Sequence, residues 1–167
     1  MSLKTSIWQD GPDVRMALEG VVDENCQLPD FEEEIPGRML VDLEMLSMIN
    51  SLGCRKWVDW MRRVRARAGL ILQRCSPPVV NQMNILAGFL PKGVIVESFF
   101  APYLCAECGH NELDLFVRGE HFDDSGITHV AEHRSCPSCS GCMDLDVMPQ
   151  RYFSFLSTKA KKPAAAG

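Results

Sequence analysis

The chain has 167 residues, of which 46% are hydrophobic and 23% charged, with a formal net charge of −5. These proportions are typical of a globular protein, and the length suits one domain or a small domain joined to a metal-stapled module. No apolar run reaches the roughly 18 residues of a membrane span, and residues 1–13 lack the layout of a signal peptide. We therefore expect a cytoplasmic protein that does not cross a membrane.

The first hundred residues predict strands that alternate with helices. Residues 5–9 and 14–19 flank the turn sequence DGPD and predict a β-hairpin. The largely apolar stretch 38–46 (RMLVDLEML) predicts a buried central strand, followed by a loop over 47–53.

Residues 53–68 predict an amphipathic helix that Gly69 ends. Its opposite face is basic and includes Arg55 and Lys56. The apolar stripe consists of Trp57, Trp60, Met61, Val64 and Ala68. At this spacing the two tryptophans are predicted to be core residues.

A second strand–helix–strand set follows the basic helix. Residues 70–75 predict a strand, Ser76-Pro77-Pro78 predicts a capped helix start, residues 79–87 the helix and 94–98 a strand. Strands alternating with helices give an α/β layer with parallel neighbours. The predicted core comprises Leu40, Val41, Leu43, Leu70, Ile71, Leu72, Val94, Ile95 and Val96.

The ordered set of motifs in residues 38–90 resembles a STAS domain, the fold of anti-sigma factor antagonists. The matching features are a strand ending near Asp42, an Ile-Asn-Ser-x-Gly turn at 49–53, the amphipathic helix, and the Ser-Pro-Pro helix start. With its flanking strands the resemblance covers roughly residues 3–100, and we expect a STAS-like domain over residues 1–100. It implies an α/β fold with a mixed sheet and helices mainly on one face.

The resemblance also implies a partner-binding surface and a phosphorylation site. In antagonists of this family a partner kinase phosphorylates a serine in the corresponding turn, and by position that serine is Ser51. The partner would be a serine kinase or an anti-sigma-type regulator. The candidate partner surface comprises Asn50, Ser51 and Gly53 at this turn, together with Arg55 and Lys56 on the basic helix face, which could dock an acidic partner or could simply be solvated. The alternative is that Ser51 or Asn50 only caps the helix.

Two cysteine pairs follow, Cys105-Ala-Glu-Cys108 and Cys136-Pro-Ser-Cys139, separated by 27 residues. Four thiolates in two C-x-x-C turns match the tetrahedral coordination of one structural Zn²⁺. We expect a turn residue of positive φ at Gly109 and at Gly141, and a hairpin between the pairs.

Other ligand sets remain open at this site. The stretch CPSCSGCMDLD is similar to zinc-ribbon families, but Cys142 also forms a C-x-x-C with Cys139. His110 or His133 could replace one thiolate in a Cys₃His site. Disulfides are the further alternative, although eight cysteines without an export signal favour metal-binding thiols in a reducing cytosol.

The region 101–158 is predicted to be a β zinc-ribbon module, and 159–167 a flexible tail. Its strands are predicted at 112–118, 127–131 and 143–147, with a short helix beginning at Pro149.

Charge argues against nucleic-acid binding by this module. It contains three arginines and nine acidic residues, so its local net charge is −6, and this charge would repel a phosphate backbone.

The favoured hypothesis is a non-enzymatic signalling or scaffold protein that binds a protein partner, with an oligomeric state that no sequence feature predicts. A zinc-thiolate redox sensor is the alternative, since Cys142 is a spare thiol. Nucleic-acid binding by the zinc ribbon is a third, disfavoured hypothesis.

Overall fold

The computed structural model describes residues 2–131 and 133–157. The chain divides into two compact units between Phe99 and Phe100. The predicted tail at 159–167 lies outside the described residues.

The first unit opens with a β-hairpin. Strands β1 (Lys4–Asp10) and β2 (Asp13–Val22) are antiparallel, with Asp10 opposite Asp13. Gly11 in the two-residue turn has φ +60°, a conformation that glycine adopts without steric cost. The predicted hairpin is confirmed.

The apolar stretch predicted as one strand over 38–46 forms two strands. Strand β3 (Arg38–Asp42) ends where the Asp42 carboxylate accepts a hydrogen bond from the Glu44 N–H group, at 3.0 Å. Strand β4 (Leu46–Ile49) follows the turn and a helix begins at Ser51, so of the loop expected over 47–53 only Asn50 lies outside a strand or helix. Asp42 closes a local turn that an apolar pattern conceals.

These strands join a six-stranded mixed sheet. With β5 (Gly69–Gln73) and β6 (Ile95–Val96) its order is β1-β2-β3-β5-β6, and the pairs from β2 onward are parallel. Strand β4 pairs in parallel with the last three residues of β2 (20–22), with a register shift between Gly20 and Val21. The predicted mixed α/β architecture is confirmed.

Helix α1 (Ser51–Arg65) packs against β5 and β2. The predicted stripe is buried, and Trp57 and Trp60 are fully enclosed, with ring centroids 5.2 Å apart. Gly69 does not end the helix as predicted. The cap is Ala66, with φ −70°, and Gly69 begins β5.

Helix α2 (Pro77–Ile85) contacts β4. Ser76 precedes it as predicted, but its hydroxyl does not cap the helix. The hydroxyl donates instead to the Leu46 carbonyl at 2.6 Å, in a buried setting, and thereby ties α2 to β4.

The predicted sheet core is buried with one exception, because Ile95 is 44% exposed. It belongs to a two-residue strand at the end of the sheet order, where alternate side chains point away from the core.

The second unit is built on a four-stranded sheet. The sheet contains β7 (Ser98–Cys105), which begins just before the division, β8 (Asn111–Val117), β11 (His133–Ser135) and β12 (Cys142–Leu145). The unit has two further short strands, β9 (Phe122–Asp123) and β10 (Gly126–Ile127). The order of the main sheet is β11-β12-β7-β8, while β9 and β10 pair separately.

Two expectations for this unit are wrong. The strand predicted at 127–131 ends at Ile127, and the next strand of the described residues, β11, comprises His133–Ser135. The insert is not one hairpin between the cysteine pairs either. Its two longest strands, β8 and β11, lie at opposite edges of the sheet.

Aromatic residues form the core of the second unit. The helix predicted from Pro149 is present as α3 (Pro149–Tyr152) and α4 (Ser154–Ser157). Phe153 lies 5.5 Å from Phe116 between ring centroids, and the Tyr152 hydroxyl donates to the Phe100 carbonyl at 2.6 Å.

One close backbone approach positions the start of α1. A β-carbon on Gly53 would lie 2.0 Å from the carbonyl oxygen of Val22, well inside van der Waals contact. The same carbonyl accepts a hydrogen bond from the Asn50 N–H group at 3.1 Å. Only glycine permits the first turn of α1 to cross the end of β2 in this way.

We expect Gly53→Ala to lower the free energy of unfolding by roughly 1–3 kcal/mol, because the added methyl group overpacks this crossing. Urea denaturation followed by tryptophan fluorescence measures the loss. The matched control is Gly69→Ala, whose β-carbon would meet the Arg38 side chain at an ordinary 3.5 Å. Equal losses in the two variants would contradict the proposed crossing constraint.

Candidate metal centre and candidate partner surface

The two cysteine pairs lie in two turns with the same backbone hydrogen bonding. Cys105 donates its N–H to the His110 carbonyl at 2.8 Å, and Gly109 donates back to the Cys105 carbonyl at 2.9 Å. In the second turn, Cys136 donates to Gly141 at 2.7 Å and Ser140 to Cys136 at 2.9 Å. Each turn therefore presents its two sulfur atoms on the same side.

The turns bring the four predicted ligands together. The Sγ atoms of Cys105 and Cys139 are 3.6 Å apart, as are those of Cys108 and Cys136. All four lie within 4.8 Å of one another, and all four are free thiols. Tetrahedral Zn–S bonds of about 2.3 Å require sulfur–sulfur distances of about 3.8 Å. The cluster therefore fits a tetrahedral metal ion.

The electrostatics of the cluster also favour a cation. Burial acts to raise the pKa of Cys136, but N–H groups of Cys139 and Ser138 and the neighbouring thiols outweigh it and lower the pKa to about 6. The Gly141 N–H acts to lower the pKa of Cys139, but hydrogen bonds with Cys108 and Cys105 raise it to about 12. Four thiolates this close require a bound cation to offset their repulsion.

Each cysteine turn has one residue with positive φ, and this residue lies four positions after the first cysteine of the pair. Gly109 has φ +75° as expected, but in the second turn the residue is Ser140, with φ +62°, and not Gly141. The expectation for Gly141 is wrong because the turn places its strained position four residues after the first cysteine. Gly141 instead faces Glu107, whose Oε2 would lie 2.5 Å from an added β-carbon.

The alternative ligands lie outside the cluster. The His110 ring contacts the Ser138 hydroxyl at 3.1 Å and the Glu112 carboxylate at 3.4 Å, so it bridges the two turns from outside. His133 contacts Asp144, and Cys142 is exposed on β12. The geometry thus favours four cysteine ligands over a Cys₃His set.

The predicted partner-binding residues occupy different environments at the start of α1. Asn50 is the N-cap, and its Oδ1 atom accepts from the Gly53 N–H at 2.7 Å. Its amide donates to Glu24 at 2.8 Å, and this bond lowers the pKa of that carboxyl. Ser51 and Arg55 are exposed, whereas Gly53 is buried where the first turn of α1 crosses the end of β2. Asn50, not Ser51, therefore caps the helix.

The basic face of α1 is engaged by the loop that precedes β3. Lys56 donates to the carbonyls of Glu24 and, at 3.2 Å, Cys26. Further along, Arg63 pairs with Asp30 at 3.1 Å and Arg67 donates to the Glu32 carbonyl. These cations tie the acidic loop to the helix, and sequence reasoning missed this role because it requires the tertiary contact.

Two exposed apolar side chains flank Ser51 in the chain. Met48 on β4 is 49% exposed and Leu52 in the first turn of α1 is 52% exposed. Met45, Ile85 and Leu86 are also exposed and belong to the turn before β4 and the end of α2. Sequence reasoning missed Met48 because β4 was not predicted as a strand.

No protein-family model, curated protein or solved structure matches this chain. Within the described part of the chain, no helix combines the length and the apolar character needed to cross a membrane. The class of protein is therefore inferred from the geometry of the metal centre and of the surface around Ser51.

We expect a chelator that removes zinc to unfold the second unit, because the ion offsets the repulsion of four thiolates. Tyr103 and Tyr152 are the two tyrosines of the chain and lie in this unit, whereas all three tryptophans lie in the first. Near-ultraviolet circular dichroism should lose the tyrosine signal and keep the tryptophan signal. Cys108→Ser should lose the tightly held zinc of the four-cysteine cluster, and the control Cys142→Ser should keep it; loss of this zinc in both would contradict the four-cysteine assignment.

We expect Ser140→Gly to stabilise the zinc-bound protein by up to about 1 kcal/mol, since glycine removes the cost of a positive φ. Gly109→Ala should destabilise it by a similar amount for the opposite reason. Thermal unfolding of the zinc-loaded protein measures both changes. Stabilisation by Gly109→Ala would show that the positive φ at this position does not reduce the stability of the turn when a side chain is present.

Proposed function

We propose that this chain is a non-enzymatic signalling or scaffold protein that binds a protein partner. The binding unit is a STAS-like domain at residues 1–100, and residues 101–158 form a zinc ribbon whose single Zn²⁺ is structural. The protein acts in the cytoplasm, and its partner is a serine kinase or an anti-sigma-type regulator.

The observation that carries this proposal is the pair of exposed apolar side chains, Met48 and Leu52, that flank Ser51 in the chain and define the candidate surface. Met48 and Leu52 present about half of their surface to solvent on a regular strand and a helix. Apolar groups held in an ordered surface are typical of protein interaction sites. The buried Gly53 and the hydrogen-bonded Asn50 hold the start of α1, and with it this surface, in place.

Phosphorylation of Ser51 would regulate the surface. Ser51 is exposed in the first turn of α1, a turn that contains no acidic side chain. A phosphate there would meet the positive end of the helix dipole, and it would add about two negative charges beside apolar Leu52. Such a charge weakens an apolar contact, so phosphorylation is proposed to release the partner.

The zinc ribbon is proposed to be structural because four sulfur ligands leave no open coordination position. The redox alternative has less support. Burial and the contact with Asp144 raise the pKa of the Cys142 thiol, which lowers its thiolate fraction and its reactivity. The local charge of −6 likewise argues against nucleic-acid binding.

We expect Met48→Glu and Ser51→Asp each to weaken partner binding at least about tenfold, because both place charge in an apolar interface. The partner is first captured from native cytosol with the full chain and identified by mass spectrometry. Its affinity for each purified variant is then measured by calorimetry. The matched control is Ile7→Glu, which changes an equally exposed apolar residue on β1, at 46% exposure.

Equal affinities for all four proteins would contradict the proposed surface. The switch is tested separately, by incubation with ATP and a cytosolic kinase fraction followed by mass spectrometry of residue 51. An unmodified Ser51, together with an unchanged affinity of Ser51→Asp, would overturn the switch and leave binding through Met48 intact.

A further inference from the structure

Three metal-binding side chains lie together on β11 and β12, outside the four-cysteine cluster. His133 pairs directly with Asp144 across the two strands, and Cys142 precedes Asp144 by two residues. Because side chains alternate along a strand, all three lie on the same face of this strand pair. Their nitrogen, sulfur and oxygen atoms lie within 4.8 Å of one another, and all three side chains are exposed.

The distances between these atoms are close to those that a metal ion imposes. Cys142 Sγ lies 3.5 Å from Asp144 Oδ1, the separation expected of about 3.5 Å between sulfur and oxygen ligands of tetrahedral zinc. His133 Nδ1 lies 2.6 Å from the same oxygen, joined by a hydrogen bond. An ion would replace that hydrogen and widen the gap to about 3.3 Å, which exposed side chains permit.

We propose that His133, Cys142 and Asp144 form a second site for a divalent transition-metal ion. The site is distinct from the four-cysteine centre and does not depend on the proposed signalling function. It offers three protein ligands and leaves a coordination position open to water or to a ligand from another molecule.

The ligand set selects the class of metal. One imidazole, one thiolate and one carboxylate suit borderline ions such as Zn²⁺ and Co²⁺, rather than Mg²⁺ or Ca²⁺, which prefer oxygen ligands alone. Metal binding displaces the thiol proton of Cys142 to solvent as the metal–sulfur bond forms.

The surroundings also favour a cation. The Glu107 carboxylate lies beside Gly141, the residue before Cys142. Arg134, between His133 and Ser135 on β11, directs its guanidinium elsewhere, to Glu112, Asp114 and the Tyr103 ring. Among the described residues, no lysine or arginine forms an ion pair with any of these three side chains.

An exposed, three-ligand site should exchange its metal more readily than the closed centre. The four-cysteine cluster buries two of its sulfurs and supplies every ligand that zinc requires. The second site supplies fewer ligands and is open to solvent, so its occupancy should follow the free metal concentration.

Cobalt titration of the zinc-loaded full chain tests this proposal. With the four-cysteine centre filled by zinc, which metal analysis verifies, wild-type protein should bind one further Co²⁺ and show thiolate-to-cobalt charge-transfer absorption. His133→Ala, Cys142→Ala and Asp144→Asn should each weaken this binding at least about tenfold, since even outer-shell changes cost that much.

Two control variants should bind Co²⁺ as the wild type does. His129→Ala removes an exposed histidine elsewhere, and Ser135→Ala removes the side chain opposite Cys142. Retention of zinc by each variant shows that the unit remains folded. Absence of Co²⁺ uptake up to millimolar concentration would overturn the proposal, as would uptake unchanged in both His133→Ala and Cys142→Ala.

Discussion

The carbonyl group of Val22 organises the surface on which the proposed function rests. It ends β2, receives the hydrogen bond of Asn50 and lies directly against the first turn of α1 at Gly53. Because no side chain fits between this carbonyl and Gly53, the start of α1 is held at a fixed short distance from the end of β2, and β4 is held beside it. Ser51 and Leu52 are therefore displayed on a rigid turn, where little conformational entropy is lost on binding.

The second unit depends on a different constraint, the four-cysteine cluster that fits a metal ion. Its apolar core consists mainly of aromatic residues from a few short strands and two short helices. The two cysteine turns lie at the ends of β7 and β11, so an ion there joins segments that are 27 residues apart. A small sheet gains most from a cross-link of this kind, because little other burial is available to it.

The parts of the fold that could be predicted are those encoded within a few residues. The DGPD turn, the Trp57–Trp60 stripe and the C-x-x-C pairs each contain their own geometry, and the structure contains all three. Two local turns could not be predicted because their sequence signals are weak or misleading. The turn at Asp42 lies within an apolar run, and the positive φ of the second cysteine turn falls on Ser140 instead of on Gly141. The juxtaposition of His133 with Asp144, by contrast, depends on distant parts of the chain, because it requires knowledge that β11 pairs with β12.

The order of strands in the large sheet has a consequence for folding in the cell. From β1 through β3 and β5 to β6, spatial order follows chain order, and β4 joins the free end of β2. Each strand after β1 therefore pairs with one that has already left the ribosome, and no strand must wait for a later one to be inserted beside it. The sheet can thus assemble during synthesis from its N-terminal edge, which shortens the time that unpaired apolar strands such as β3 are exposed to aggregation.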